Sequence, residues 1–167
     1  NKCVEELIEA FAWYHMRIER RSEPILVGSE RTCPRYFAML RMFAGELDLA
    51  SVRFVRYASP SGLISYYEQA DLFASASRHE GYCLPIVEAM YKGVPVLARR
   101  TGGVPEAMDG AGALFDEARP EELAALMARM ISDGALRNEI LVSQQARIQR
   151  LLARPVPAEF QGLLAEL

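Results

Sequence analysis

Apolar positions recur along the chain with two different periods, and the period switches repeatedly. Over residues 3–20, Val4, Leu7, Ile8, Phe11 and Ala12 fall at three- and four-residue spacing, which predicts a helix with one apolar face. Ile25-Leu26-Val27 follows, a short continuous apolar run introduced by Pro24 and stopped by Gly28, as expected of a strand buried on both faces. Helical spacing returns over 34–47 with Tyr36, Phe37, Leu40, Phe43 and Leu47. Val52-Arg53-Phe54-Val55 is the next predicted strand, 60–69 a short helix, and 71–75 a strand ending in small polar residues. A helix over 85–92 closes at Gly93, a residue favoured just past helix ends. Val94-Pro95-Val96-Leu97-Ala98 reads as a strand with its proline near the start, where it is tolerated. Gly112-Ala113-Leu114-Phe115 is the last strand, and 120–131 and 136–152 are two long helices. Pro155 and Pro157 interrupt the tail, and 158–167 is predicted to form a final helix.

Strands separated by helices imply parallel pairing with right-handed crossovers. The predicted fold class is therefore α/β: a doubly wound, mostly parallel sheet with helices on both faces. Residues 1–154 form one domain and 155–167 a tail. Sheets of this kind bind ligands outside the carboxyl ends of their strands. The loops after Val27, Val55, Ser75 and Ala98 are thus the places to look for chemistry.

The length of 167 residues suits one ordinary domain, and 51% hydrophobic with 25% charged residues suits a packed core. A net charge of −3, spread along the chain, provides no basic stripe for nucleic acid. No apolar run approaches the roughly 20 residues needed to span a bilayer, and the start lacks a signal-peptide core. Cys3, Cys33 and Cys83 are widely spaced, and His15 and His79 are the two histidines, so neither a redox pair nor a zinc site is expected. The glycine fingerprints of dinucleotide and P-loop enzymes are absent, as are the G-x-S-x-G elbow and the D-x-D clamp for a metal diphosphate.

The informative stretch is Ser77-Arg78-His79-Glu80-Gly81-Tyr82-Cys83-Leu84-Pro85-Ile86-Val87-Glu88. It reads as a strand end, a turn and a helix start with Pro85 at the first helical position. Free N–H groups at such a terminus can hold a phosphate, helped by the helix dipole. Gly81 permits close approach of the backbone to a ligand. Glu88, placed in the first helical turn, can accept hydrogen bonds from ribose hydroxyls, and Glu80, before the turn, from hydroxyls of an attached sugar.

Glu80 and Glu88, with seven residues between them, resemble the E-x7-E signature of the group 1 retaining glycosyltransferases, which have the GT-B fold. Asn1-Lys2 with Leu7-Ile8-Glu9-Ala10-Phe11 resembles the family's helix after its first strand. Tyr66-Tyr67-Glu68-Gln69-Ala70-Asp71-Leu72-Phe73 resembles the approach to the signature; Gly93-Val94-Pro95-Val96 and Gly102-Gly103-Val104-Pro105-Glu106 resemble the blocks after it. The likeness covers roughly residues 1–140.

The resemblance implies transfer of a sugar from a nucleoside diphosphate to an acceptor, with retention and without a catalytic metal or other cofactor. Glu80 would be the catalytic-site carboxylate beneath the anomeric centre. Gly81, Tyr82, Cys83 and Leu84 would offer N–H groups to sugar and phosphate, Glu88 would hold the ribose, and Lys2 would neutralise the diphosphate. The loop at Arg56 and Tyr57 would face the base, although the family usually has glycine where Arg56 stands. Gly102 and Gly103 would shape a turn near the sugar. Acid–base histidine chemistry belongs by analogy to the other domain, which leaves His79 without that task. Tyr66 and Tyr67 are expected as packing aromatics, and Arg147, Arg150 and Arg154 as a solvated helix face. The family's N-terminal acceptor domain and first strand lie outside this chain, so the chain alone is expected to bind donor and transfer nothing. A cytoplasmic setting is implied, with peripheral membrane contact left to the acceptor half. A nucleotide-sugar epimerase of the same fold and a non-catalytic sugar-nucleotide-binding module remain open alternatives.

Overall fold

The computed structural model describes residues 1–28 and 30–156; the helix expected over 158–167 lies outside them. The order is α1 (Val4–Arg17), β1 (Ile25–Val27), α2 (Pro34–Glu46), β2 (Arg53–Val55), α3 (Pro60–Gln69) and β3 (Phe73–Ser75). It continues with α4 (Leu84–Tyr91), β4 (Val96–Arg99), α5 (Val104–Met108), β5 (Ala113–Phe115), α6 (Pro120–Ser132) and α7 (Gly134–Leu152). Every ladder is parallel: β1 with β2, β3 with β4, and β4 with β5.

Burial explains why β4 is central. All four of its residues are buried, and they alternate between two cores as a pleated strand must. Val96 and Ala98 face the core built with α4, α5 and α7. Leu97 faces the opposite core, with Ala10 and Tyr14 of α1 and Leu123, Met127 and Met130 of α6. Helices therefore cover both faces, the predicted doubly wound plan.

The ladder is interrupted. Among the described residues β1–β2 and β3–β4–β5 are separate sheets, with no pairing between β1 and β3. Helix α1 lies across both. Its Ile8 and Ala12 pack with Leu40, Ala44, Leu26 and Phe54 on the β1–β2 side. Its Ala10 and Tyr14 pack on the β3–β5 side. The strands flanking the interruption are less covered than β4, and Val27 is exposed.

Gly102 and Gly103 form a turn, as expected, and it leads into a five-residue helix, α5, that was not expected; one helical turn is too short to show a period. One local expectation is corrected. Helix α4 starts at Leu84, so Pro85 is not its first residue. Glu88 consequently sits in the second turn, beyond the reach of first-turn dipole stabilisation.

Candidate donor site

The site forms where the exits of β3 and β4 meet the start of α1. Ser77 leaves β3 buried, and the next residue is fixed from two sides. The Arg78 N–H donates to the Asn1 carbonyl (2.8 Å), and the Thr101 hydroxyl donates to the Arg78 carbonyl (2.9 Å). The Gly103 N–H donates to the Glu80 carbonyl (3.3 Å). This contact is backbone against backbone. A Cβ on Gly102 would lie 2.0 Å from the Glu80 oxygen, and one on Gly103 would lie 1.9 Å from the Gly81 oxygen. Only glycines permit that approach.

Glu80 is thereby held with its side chain 10% exposed, and the Lys2 ammonium donates to its Oε1 at 2.6 Å. Burial acts to raise the Glu80 carboxyl, but the hydrogen bonds from Lys2, Ser77 and Cys83 and the Lys2 charge outweigh it, and the carboxyl titrates below its ordinary value. Glu80 is an anion at neutral pH. Cys83 has a positive φ of 57°, an uncommon conformation for a non-glycine residue, and it turns the chain into α4. Its thiol is pushed up by burial and by the Glu80 charge, which keeps it protonated and unreactive. Among the described residues, no acceptor takes the N–H groups of Gly81, Tyr82 or Cys83. Pro85 has no N–H and the Ile86 N–H donates to the Cys83 carbonyl (3.0 Å), so the free donors are those of residues 81–84, in the loop that runs from Glu80, the partner of Lys2, into α4.

Glu88, one helical turn and more along α4, is exposed and is gripped by Tyr67 of α3, whose hydroxyl donates to Glu88 Oε2 at 2.9 Å. The Tyr67 hydroxyl also reaches the Pro85 carbonyl at 3.4 Å. Burial and the Glu88 carboxylate raise the Tyr67 phenol, so it stays a donor. Tyr67 is thus a core aromatic, as expected, and an orienting partner as well. Its neighbour Tyr66 carries the Arg53 guanidinium on its ring at 5.4 Å.

Among the described residues, the side chains of the remaining predicted residues make no contact with Lys2, Glu80 or Glu88. Arg56, after β2, pairs with Glu30 of the loop after β1 at 2.8 Å. Tyr57 beside it is exposed. Leu84 opens α4 with its side chain in solvent. His79 is exposed.

The expectation of a solvated arginine face on α7 is corrected for Arg147, whose side chain is 12% exposed. It donates to the Glu106 and Ala107 carbonyls at the end of α5 (2.8 and 3.0 Å) and to the Tyr82 hydroxyl (3.2 Å), and pairs with Asp109. Arg150 meets the same Asp109 carboxylate at 3.0 Å. Tyr67, Glu30 and Arg147 are the partners that sequence reasoning missed, because each lies far along the chain from the residue it holds. No described residues form a group of three or more His, Cys, Asp and Glu able to hold a metal. No helix among the described residues is long and apolar enough to cross a membrane. Two shallow clefts, of about 450 and 360 Å³, open elsewhere, beside Arg53 and along α2.

The chain is 38% identical over 101 residues to a D-inositol 3-phosphate glycosyltransferase of Corynebacterium jeikeium, covering 59% of this chain and 24% of that protein. It is 32% identical over 145 residues to the protein of the same name from Corynebacterium diphtheriae, covering 85% of this chain and 33% of that one. It therefore spans a quarter to a third of the length of these relatives. Among solved structures, Anabaena HepE in complex with UDP-glucose superposes with a TM-score of 0.83 at 26% identity, over 99% of this chain and 46% of HepE. The family model described as glycosyl transferases group 1 matches residues 1–147, which takes in every element from α1 through most of α7. On these grounds, and with the Glu80–Glu88 segment placed at the strand exits, the chain belongs to the group 1 glycosyl transferases.

Proposed function

We propose that this chain holds the nucleoside-diphosphate sugar for a retaining, metal-independent glycosyl transfer, and that a second, acceptor-binding domain supplies the rest of the active site. The reading rests chiefly on one observation. Lys2 and Glu80, 78 positions apart in sequence, meet at 2.6 Å beside the unsatisfied N–H groups of the loop into α4. A cation, an anion and a row of free donors match a ligand that carries a diphosphate and sugar hydroxyls. Support also comes from HepE, which has been solved with UDP and with UDP-glucose.

In this reading the diphosphate rests on the α4 N-terminus and Lys2, which stabilise the charge that grows on the leaving group. Fixed dipoles and the ammonium supply the positive charge that a metal ion would otherwise bring. Glu80 accepts hydroxyls of the donor sugar below its anomeric centre. Glu88, steadied by Tyr67, accepts the ribose hydroxyls, and the loop of Arg56 and Tyr57 faces the base. The acceptor domain closes over this surface and excludes water. A lipid-linked acceptor would bring that other half to a membrane surface.

Titration of the chain with uridine, guanosine and adenosine diphosphates, each with and without a sugar, tests the reading by calorimetry. One base is expected to bind most tightly. Glu88→Ala is expected to weaken every nucleotide, whereas Glu80→Ala removes mainly the preference for sugar-bearing forms. Equal losses in both variants refute the assignment of roles, and a chain that binds none of the nucleotides refutes the function.

A further inference from the structure

Arg99 is a buried cation at the carboxyl end of β4, 5% exposed. A guanidinium at such depth is held only if its donors are taken up. Its Nε donates to the Ala76 carbonyl at 3.1 Å, just past β3, and its Nη1 to the Asp116 carbonyl at 3.1 Å, just past β5. Nη1 also meets Glu117 Oε1 at 3.1 Å, the plane lies 5.1 Å from the Phe115 ring centroid, and Nη2 pairs with Glu6. Glu6 lies in the first turn of α1, and its other oxygen, Oε1, takes Arg78 Nε and Nη2 at 3.2 and 3.1 Å.

The two arginines thus fasten the start of α1 to two strand exits through one carboxylate. Lys2 lies two residues before Val4, the first residue of that helix, and Glu80 lies two residues beyond Arg78. Where the Lys2 ammonium stands relative to Glu80 is therefore set by the Glu6 anchorage and by the Asn1–Arg78 backbone bond. Arg99 is the fixed post of this arrangement, because its rotamer is locked by two carbonyls, two carboxylates and a ring. We propose that Glu6 and Arg99 are positioning residues for the Lys2–Glu80 pair, acting on donor diphosphate through Lys2 without touching it. The inference rests on the donor reading above.

A double-mutant cycle on the full chain tests it. The probes are whichever of the uridine, guanosine and adenosine diphosphates binds most tightly, and the corresponding monophosphate. Lys2→Met, Glu6→Gln, Arg99→Met and Lys2→Met/Glu6→Gln are titrated with both, and each is melted. Lys2→Met and Glu6→Gln are each expected to weaken the diphosphate about tenfold, the size of one charge-assisted hydrogen bond. The monophosphate, which does not extend to Lys2, stays within about twofold, and the double variant is no weaker than Lys2→Met within about twofold. Arg99→Met follows Glu6→Gln; Glu6→Gln alone decides the matter if Arg99→Met does not fold. Losses that are equal for both probes, or that multiply in the double variant, mean a merely structural tie and overturn the proposal. A diphosphate affinity that falls with Lys2→Met but not with Glu6→Gln overturns the positioning role alone. An affinity unmoved by Lys2→Met overturns the donor reading of Lys2, and the positioning role with it.

Discussion

Replacing Gly103 by alanine isolates the backbone contact that sets the Glu80 loop. Gly103 has φ −82° and ψ 5°, a conformation that alanine adopts without strain. The whole effect must therefore come from the added methyl group. Its Cβ would stand 1.9 Å from the Gly81 carbonyl oxygen and 3.0 Å from the carbonyl carbon, against a contact distance of about 3.5 Å. The obstructing atoms belong to the main chain and cannot rotate aside. The Glu80–Gly81 segment has to retreat by roughly 1 Å or more, which breaks the 3.3 Å bond from the Gly103 N–H and draws the carboxylate away from Lys2. Overpacking of this kind costs about 1–3 kcal/mol of stability. A shift of about 1 Å in a positioned group costs on the order of 100-fold in turnover. The assay is urea denaturation together with calorimetric titration of the sugar nucleotide, with transfer measured in the complete enzyme. Gly45→Ala is the control: nothing lies within 4 Å of that position, and it sits inside α2. It is expected to stabilise the chain by about 0.5–1 kcal/mol through helix propensity and leave binding unchanged. A Gly103→Ala chain that melts and binds like the wild type would refute the steric argument.

Three other perturbations have defined outcomes. Tyr67→Phe removes the hydroxyl that steadies Glu88; nucleotide affinity is expected to fall about three- to tenfold, with the unfolding free energy lower by about 1 kcal/mol, checked by titration and urea denaturation. The Glu80 carboxyl, held below its ordinary value of 4.5, favours the fold above that pH and loses this contribution as pH falls through its lowered folded value. The melting temperatures of wild type and Glu80→Gln should therefore differ at pH 7 and converge in acid. Gln144 is buried at 1% exposure, with its Oε1 accepting the Val96 N–H at 2.9 Å and its Nε2 donating to the Val94 carbonyl at 2.8 Å. Gln144→Leu strands both main-chain groups and is expected to cost about 2–5 kcal/mol in urea denaturation; a loss under about 1 kcal/mol would show that water replaces the amide.

The alternation of elements was legible because burial on both faces writes continuous apolar runs, and because proline and glycine mark the boundaries. Val96-Leu97-Ala98 was recognisable as a strand for that reason, and the helix after Cys83 was signalled by Pro85 and closed by Gly93. The short α5 had no room for a period to develop. The separation of β1 from β3 left no mark in the local pattern and was hinted at only by the family resemblance, since a strand beside an interruption carries the same Ile25-Leu26-Val27 pattern as one within a ladder. At the site, Glu80 and Glu88 were identified from their spacing, but the position of Lys2 came only through the family resemblance. The residues that hold the site in shape were not legible. Tyr67 grips Glu88 across 21 positions, Arg147 reaches Tyr82 across 65, and Arg99 reaches Glu6 across 93. Side-chain contacts over such separations depend on tertiary geometry and leave no local pattern. The buried Arg99 did leave a trace, a charged residue ending an otherwise apolar strand.

The pairing of Lys2 with Glu80 also bears on what the site ignores. The Lys2 ammonium already has its counter-ion in Glu80, and on the proposed reading an incoming phosphate must part the two side chains before it gains the ammonium. A free inorganic anion compensates the lysine and leaves the carboxylate stranded in a half-dry corner. On the proposed reading, only a molecule with an anionic group and a hydroxyl donor on one scaffold satisfies both halves at once. On that reading such a lock excludes free phosphate without any steric gate, and it loosens the hold on the spent nucleotide once the sugar has gone.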